Sequence, residues 1–560
     1  MSSAGASAAV AASMRAEKRI VQTLRNANAT SPETAVALAE GRLIQRGALR
    51  RLIRSHAVIE AAPNTFWLDD AAYAEMKKLR TSRIILTMFG LAALLIILAT
   101  VTIAKADTPQ APALRPDQIA FRGLYKELVE TNTTLSEGSC TLAAQRMAAR
   151  MVAAGYSDAD ARVVIPEDQP KFGSLIATLP GTDASAPAML LLAHIDVVEA
   201  RRADWERDPF VLVEENGFFY ARGASDDKAE ASVWVDSLIR LKQQGFQPRR
   251  TIKLALTCGE ETNDNWNGVQ WLLEHHPEML QAGFALNEGA GGQLDANANR
   301  IALNVQAGEK VYQDYTLELT NPGGHSARPR KDNAIGAMGA ALDRLVQHDF
   351  PLELSPVTRA YFSAIAQTTP ASAADLRALT AHDTPDAAAA ARLGAVNPVW
   401  NAMMRTTCIP TLISGGHAPN AQPQKVTVNV NCRILPGHSI AETQAEIASA
   451  LANPAITIKT IGEPSPTSPA PLLTPAILDP IKAAAAKLWP GVPVVPTLST
   501  GATDGRFTNA AGVATYGVTG MFTDPDGNGV HGLNERLRVR SLYEGRDFLF
   551  ELIQLYAMQD

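Results

Sequence analysis

The sequence predicts an α/β protein: a mixed sheet flanked by helices, interrupted by a smaller inserted α+β domain and preceded by a small helical unit and one apolar span. Three observations point there. From about residue 117, short apolar runs such as AMLLLAHIDVV and RTIKLALTC alternate with helix-period segments such as ASVWVDSLIRLKQQG, the order of an α/β sheet. Near residue 310 the pattern changes to strands with strict alternation, beginning with VYQDYTLELT. Residues 84–103, IILTMFGLAALLIILATVTI, contain no charge.

Taken in order, residues 1–75 read as a small cytosolic domain. SPETAVALAEGRLIQRG and ALRRLIRSHAVI carry helix-period apolar residues, Ser31 and Pro32 supply a start signal, and VIEAAPNTFWLDD reads as a hairpin. The combination is winged-helix-like. The run 84–103 is long enough as a helix, roughly 30 Å, to cross bilayer hydrocarbon. Lys77, Lys78, Arg80 and Arg83 precede it and only Lys105 follows closely, which predicts a single-pass protein with a cytoplasmic N-terminus and everything after about 105 outside, periplasmic in a bacterium. Ala104-Lys-Ala106 also reads as a cleavage site, with Met76 as an internal start, and then only the tether differs. Residues 104–116 form a Pro-rich linker.

The main body is expected over 117–309 and 464–560. LYKELVETNTTL and CTLAAQRMAARMVAAG read as its first helices. Residues 310–463 read as a βαββαβ lid or dimerisation-type domain, with an Ala-rich helical insertion over 370–396.

Apolar residues make up 46% of the 560, ample for large cores, and the net charge of −6 gives no reason to expect nucleic acid. Charge is uneven: residues 1–83 hold 13 Lys and Arg against 7 Asp and Glu, the remainder 38 against 50. None of the four cysteines has CxxC spacing, which argues against a cysteine metal site. Cys408 and Cys432 fall on neighbouring strand-like segments and either pair or remain buried thiols.

Five segments gather acids and histidines at or beyond strand ends: LLLAHIDVVEA with His194 and Asp196, YARGASDDKAE with Asp226 and Asp227, LTCGEET with Glu260 and Glu261, ALNEGAGG with Glu288, and NGVHGLNERL with His531. Carboxylates crowded together repel unless protonated or joined by cations, and this N and O donor set suits zinc.

In this order the segments resemble the co-catalytic zinc metallopeptidases that include glutamate carboxypeptidase, aminoacylase and succinyl-diaminopimelate desuccinylase, especially the Gly-X carboxypeptidase (carboxypeptidase S) branch. The likeness spans about residues 117–560. It rests on His194-Ile-Asp196, Arg222-Gly-Ala-Ser-Asp226-Asp-Lys228, Glu260-Glu261, Glu288, Gly323-Gly-His325-Ser, GATDGR at 501–506 and HGLNER at 531–536. Ala221, Gly259 and Glu199 depart from the usual pattern without removing a ligand.

The resemblance implies two Zn²⁺ per subunit, with Co²⁺ or Mn²⁺ as substitutes. His194 and Glu288 would hold one ion, Glu261 and His531 the other, and Asp226 would bridge them, with a cis peptide following it. Asp196 would orient His194. Two zinc ions would acidify a bridging water, Glu260 would act as general base, and His325 would stabilise the oxyanion. Arg506 and Asn420, with His325, would bind substrate. The expected function is a membrane-anchored metallo-carboxypeptidase acting on small peptides with a free C-terminal carboxylate. An N-acyl-amino-acid amidohydrolase is the alternative on the same site, and a transmembrane sensor or binding protein the alternative of another class. The expected assembly is a monomer or a homodimer through the lid domain.

Overall fold

The computed structural model describes residues 3–38, 43–78, 114–261, 266–462 and 465–559. The chain divides into two compact units, residues 1–113 and 114–560.

In the first unit, helices Ser3–Asn26 and Leu43–Arg54 accompany a three-stranded sheet in the order Val36–Ala37, Thr65–Leu68, Val58–Ala62. Leu24, Ala48, Leu52, Val58 and Leu68 form its core. The hairpin turns at Asn64, whose φ of 64° suits a residue that tolerates the left-handed region. Of the helical segment expected over residues 31–47, the start forms only one 3-10 turn, Pro32–Thr34, followed by the short strand, while its end is helical within Leu43–Arg54. Thr34 Oγ1 accepts the Ser31 amide at 3.0 Å, a local bond that competes with helix propagation, and Val36 pairs with Phe66 instead.

The membrane-spanning helix requires correction. Residues 84–103 and the 104–106 cleavage reading lie outside the described residues, and among the described residues no helix is long and apolar enough to cross a membrane. The long helices that are described carry several charges, Arg15, Glu17, Lys18, Arg19 and Arg25 in Ser3–Asn26 and Arg540, Glu544, Arg546, Asp547 and Glu551 in Val539–Met558. The single-pass anchor, and the extracytoplasmic placement drawn from it, are therefore not features of the described structure.

The second unit is built on a ten-stranded mixed sheet. Four neighbouring strands at its centre run parallel: Ala514–Gly517, Phe284–Asn287, Met189–His194 and Ile252–Thr257. The last three are apolar through almost their whole length because helices cover both faces. On one face Lys228–Gln243 and Val539–Met558 bury Trp234, Leu238, Phe548 and Leu552 against the sheet. On the other, Gly268–His275 contributes Val269 and Leu272.

Strand Arg300–Glu309 leads directly into a separate four-stranded antiparallel sheet in the order Thr407–Gly415, Lys425–Ile434, Val311–Thr320, Thr457–Ile461. In its two central strands, Lys425–Ile434 and Val311–Thr320, burial alternates residue by residue, since helices Ala334–Gln347 and Ile440–Leu451 cover one face only. The Ala-rich stretch forms helices Ala373–Thr380 and Ala387–Val396, flanked by Pro356–Ile365 and Pro398–Met404. All four cysteines are bonded, Cys408 to Cys432 on facing strands and Cys140 to Cys258 across 118 residues.

Candidate metal centre

The parallel strands deliver the acidic and imidazole groups to one edge. His194 is the last residue of its strand, Glu288 follows Asn287, and Glu260 and Glu261 follow Thr257 by three and four residues. Loops beyond the carboxyl ends of parallel strands are where α/β sheets place ligands. Asp226 comes from the turn before helix Lys228–Gln243, and His531 from the loop before strand Arg536–Arg538.

Asp226 stands between the two histidines. Its Oδ1 lies 3.1 Å from His194 Nε2 and its Oδ2 lies 3.2 Å from His531 Nε2. Glu288 Oε1 is 3.8 Å from His194 Nε2, and Glu261 Oε1 is 2.9 Å from His531 Nε2. Two donor triads, His194–Asp226–Glu288 and Asp226–Glu261–His531, share Asp226, and a further grouping, His194–Glu260–Glu261, overlaps them and brings Glu260 within the same reach. The sulfurs of Cys140 and Cys258 also approach Asp196, but they are bonded to each other and offer no thiolate.

The electrostatics fit a pair of cations. Burial pushes the carboxyls of Glu260, Glu288 and Asp227 well above the usual range. Burial acts on Asp226 in the same direction, but His194 and His531 overcome it and hold that carboxyl low. Hydrogen bonds to Asp226 and Glu261 raise His531 to about 10. Burial lowers His194, and Glu288, Asp196 and Asp226 more than reverse it. So many half-buried acids are tolerated by protons on the imidazoles and on some carboxyls; divalent ions held by the same atoms would replace those protons. The donor set therefore suits two metal ions, one per triad.

The surroundings fix this geometry. Asp196 accepts the Glu261 amide at 3.0 Å, and its carbonyl faces His194 Nδ1 at 3.1 Å, so one residue orients an imidazole and the Glu260–Glu261 turn. The peptide Asp226–Asp227 is cis. Buried Glu535 accepts the amides of Gly223, Ser225 and Asp226 at 2.8–3.0 Å and pairs with Arg222 at 2.8 Å. Buried Asp504 accepts Thr257 Oγ1 at 3.1 Å and Asn267 Nδ2 at 2.6 Å, tying segment 501–506 to the turn that carries Glu260.

Glu260, Glu261 and His531 line a cleft with Gly501, Ala502, Arg506, Tyr312 and Arg433. Sequence reasoning singled out Arg506 but not Arg433, which reads there as an ordinary out-facing residue of an alternating strand. It also gave Glu535 no task. His325 and Asn420 stand outside this cleft lining. Both are exposed, on a short ribbon where His325 pairs with Ala421 and the Ser326 amide donates to the Asn420 carbonyl at 3.1 Å.

Comparison with known proteins agrees with the fold. The model of Peptidase family M20/M25/M40 matches residues 190–555. A Mus musculus protein named N-fatty-acyl-amino acid synthase/hydrolase PM20D1 is 28% identical over 397 residues, 68% of this chain and 76% of that protein. The Dictyostelium discoideum "Probable carboxypeptidase S-like 2" is 26% identical over 388 residues, 68% of this chain and 74% of that protein. Among solved structures, an M20 family metallo-carboxypeptidase, Sso-CP2 from Sulfolobus solfataricus, superposes with a TM-score of 0.58 at 17% identity, covering 79% of this chain and all of the other. With the family model matched over well more than half its length, this chain belongs to peptidase family M20/M25/M40 and is a metal-dependent hydrolase of that family.

Proposed function

We propose that the chain is a two-zinc carboxypeptidase that cleaves the amide bond of small peptides next to a free C-terminal carboxylate. The observation that carries this reading is the pair of guanidiniums, Arg433 and Arg506, in the same cleft as Glu260, Glu261 and His531. Burial lowers the Arg433 pKa, and the neighbouring charge of Arg506 lowers it further. Two cations lining one cleft favour an anion there, and a carboxylate can accept from both.

His194, Glu288 and Asp226 would hold one zinc, and Glu261, His531 and Asp226 the other; cobalt or manganese suits the same donors. When bound, the pair supplies Lewis acidity towards the scissile carbonyl and acidifies a water. Glu260 takes the proton from the attacking water and returns it to the departing amine, a task that suits a carboxyl whose pKa burial has raised. Asp196 keeps His194 and the Glu260–Glu261 turn in register. Arg506 and Arg433 orient the substrate carboxylate. His325 donates to the developing oxyanion after motion of the smaller domain, or docking of a second copy through it, brings the ribbon with Asn420 to the cleft.

N-acyl amino acids are the second reading, favoured by the likeness to the Mus musculus N-fatty-acyl-amino acid synthase/hydrolase. Both substrate types present a carboxylate beside the scissile amide and differ in what occupies the acyl side. The test is a panel of Gly-X dipeptides, N-fatty-acyl amino acids and the C-terminal amide of each, assayed with and without chelator. The proposal expects hydrolysis that chelation abolishes, and that falls sharply when the carboxylate is capped as an amide. Equal turnover of acid and amide would overturn it.

A further inference from the structure

We propose that Glu309 is a positioning residue that holds segment 501–506 so that Arg506 meets the substrate carboxylate. The inference rests on the carboxypeptidase reading and extends it to a residue that touches neither substrate nor metal ligands.

Glu309 ends strand Arg300–Glu309, at the point where the chain leaves the large sheet for the smaller domain, and its side chain is buried. Its Oε2 accepts Thr503 Oγ1 at 2.8 Å and Gln306 Nε2 at 3.1 Å. Thr503 Oγ1 in turn accepts Asn287 Nδ2 at 3.1 Å and the Gly505 amide at 3.0 Å. A hydroxyl has one proton and two lone pairs, and here all three are used. Asn287 precedes Glu288 in the chain and Gly505 precedes Arg506. Thr503 thus pins the arginine-bearing segment to the strand that delivers a donor of the metal centre, and Glu309 fixes which way that hydroxyl points.

Two further observations agree. A Cβ on Gly505 would lie 3.2 Å from Glu309 Oε1 and 3.0 Å from Thr503 Oγ1, so the segment approaches the carboxylate closely at a residue without a side chain. Burial raises the Glu309 carboxyl to about 7, opposed by the Thr503 hydrogen bond and the charge of Arg506. The next residue continues the arrangement on the other side of the crossing. Lys310 Nζ donates to the carbonyls of Ala402 and Arg405 at 2.9 and 2.8 Å and to Thr407 Oγ1 at 3.1 Å, and Thr407 is the register partner of Arg433. Adjacent residues therefore brace the segments that carry the two cleft arginines.

The experiment compares the full chain with Glu309→Ala, Glu309→Gln and Thr503→Val on a Gly-X dipeptide and its C-terminal amide, with metal content measured on every sample. For Glu309→Ala the expected result is a KM for the free acid raised about tenfold, kcat within about threefold, and unchanged constants for the amide. Metal content stays at the wild-type value. Glu309→Gln restores most of the loss, because its amide oxygen still accepts the Thr503 proton. If Glu309→Ala does not fold, Thr503→Val carries the same comparison. An unchanged preference for acid over amide in the alanine and valine variants overturns the proposal, as does an equal loss on both substrates. A wild-type enzyme without that preference overturns the carboxypeptidase reading itself, and this proposal with it.

Discussion

The backbone amide of Asp226 donates to the buried carboxylate of Glu535 at 3.0 Å, so a residue remote in sequence sets where Asp226 stands between the two histidines. Glu535 also accepts two other amides of the same turn and pairs with buried Arg222. Glu535→Ala leaves a buried guanidinium without its carboxylate, a change that costs about 3–5 kcal/mol. We expect a lower Tm and loss of bound metal together, with Glu535→Gln milder in both. Wild-type metal content in the alanine variant would show that the turn holds itself.

Asp226→Asn keeps the shape of the side chain and removes its charge and one acceptor oxygen. Since the two oxygens face different histidines, the change weakens both triads at once. Elemental analysis is expected to find fewer than two metal ions per chain, and kcat/KM is expected to fall by about a thousandfold or more. Two tightly held ions in this variant would remove Asp226 from the bridging position.

The Cys140–Cys258 bond closes a loop between residues 118 apart and ends two positions before Glu260. Reduction, or the double change to serine, is expected to lower stability by about 2–4 kcal/mol through the freed unfolded chain. Denaturant titration with and without reductant measures this. Activity should fall beyond the loss of folded protein, because the turn bearing Glu260 and Glu261 loses an anchor. Identical midpoints under both conditions would contradict the expectation.

Arg546 is fully buried and pairs with Asp236 and Asp117, each at 2.8 Å. Hydrogen bonds to Arg115 and Arg546 hold the Asp117 carboxyl below its ordinary value. A carboxyl depressed in the folded state stabilises fully above its unfolded pKa, near 4, and that contribution disappears as pH falls. Asp117 is partly exposed, so about 1 kcal/mol is at stake. Urea midpoints measured between about pH 3 and 6 should decline on the acid side for wild type and be flatter for Asp117→Asn. Parallel curves would assign the acid sensitivity elsewhere.

The α/β body was legible because its parallel strands are covered on both faces: AMLLLAHIDVV and RTIKLALTC read as apolar runs that end in polar residues, and the metal-centre acids lie at those ends. The alternating strands of the smaller domain were legible for the converse reason, since one face is covered and the other is open. Helix Ser3–Asn26 escaped notice because its Ala-rich start has little apolar periodicity, and the start of the helix expected after Ser31 gave way to local hydrogen bonds and strand pairing. Arg433 was hidden in an alternating strand, where only the tertiary fold turns an outward position into a cleft wall. The tasks of Glu535 and Glu309, and the Cys140–Cys258 bond, join residues more than a hundred positions apart and leave no local signal. His325 and Asn420 were singled out through resemblance, and they are exposed beside each other outside the cleft.

The central claim is that His194, Glu288, Glu261 and His531 hold two metal ions on either side of Asp226, with Glu260 as the base that binds neither. The most direct measurement is the metal stoichiometry of purified Glu260→Gln beside its kcat on the preferred substrate. We predict two ions per chain, as in wild type, and a kcat lower by about a hundredfold to ten-thousandfold. Undiminished turnover, or a variant that has lost one of the ions, would contradict the account.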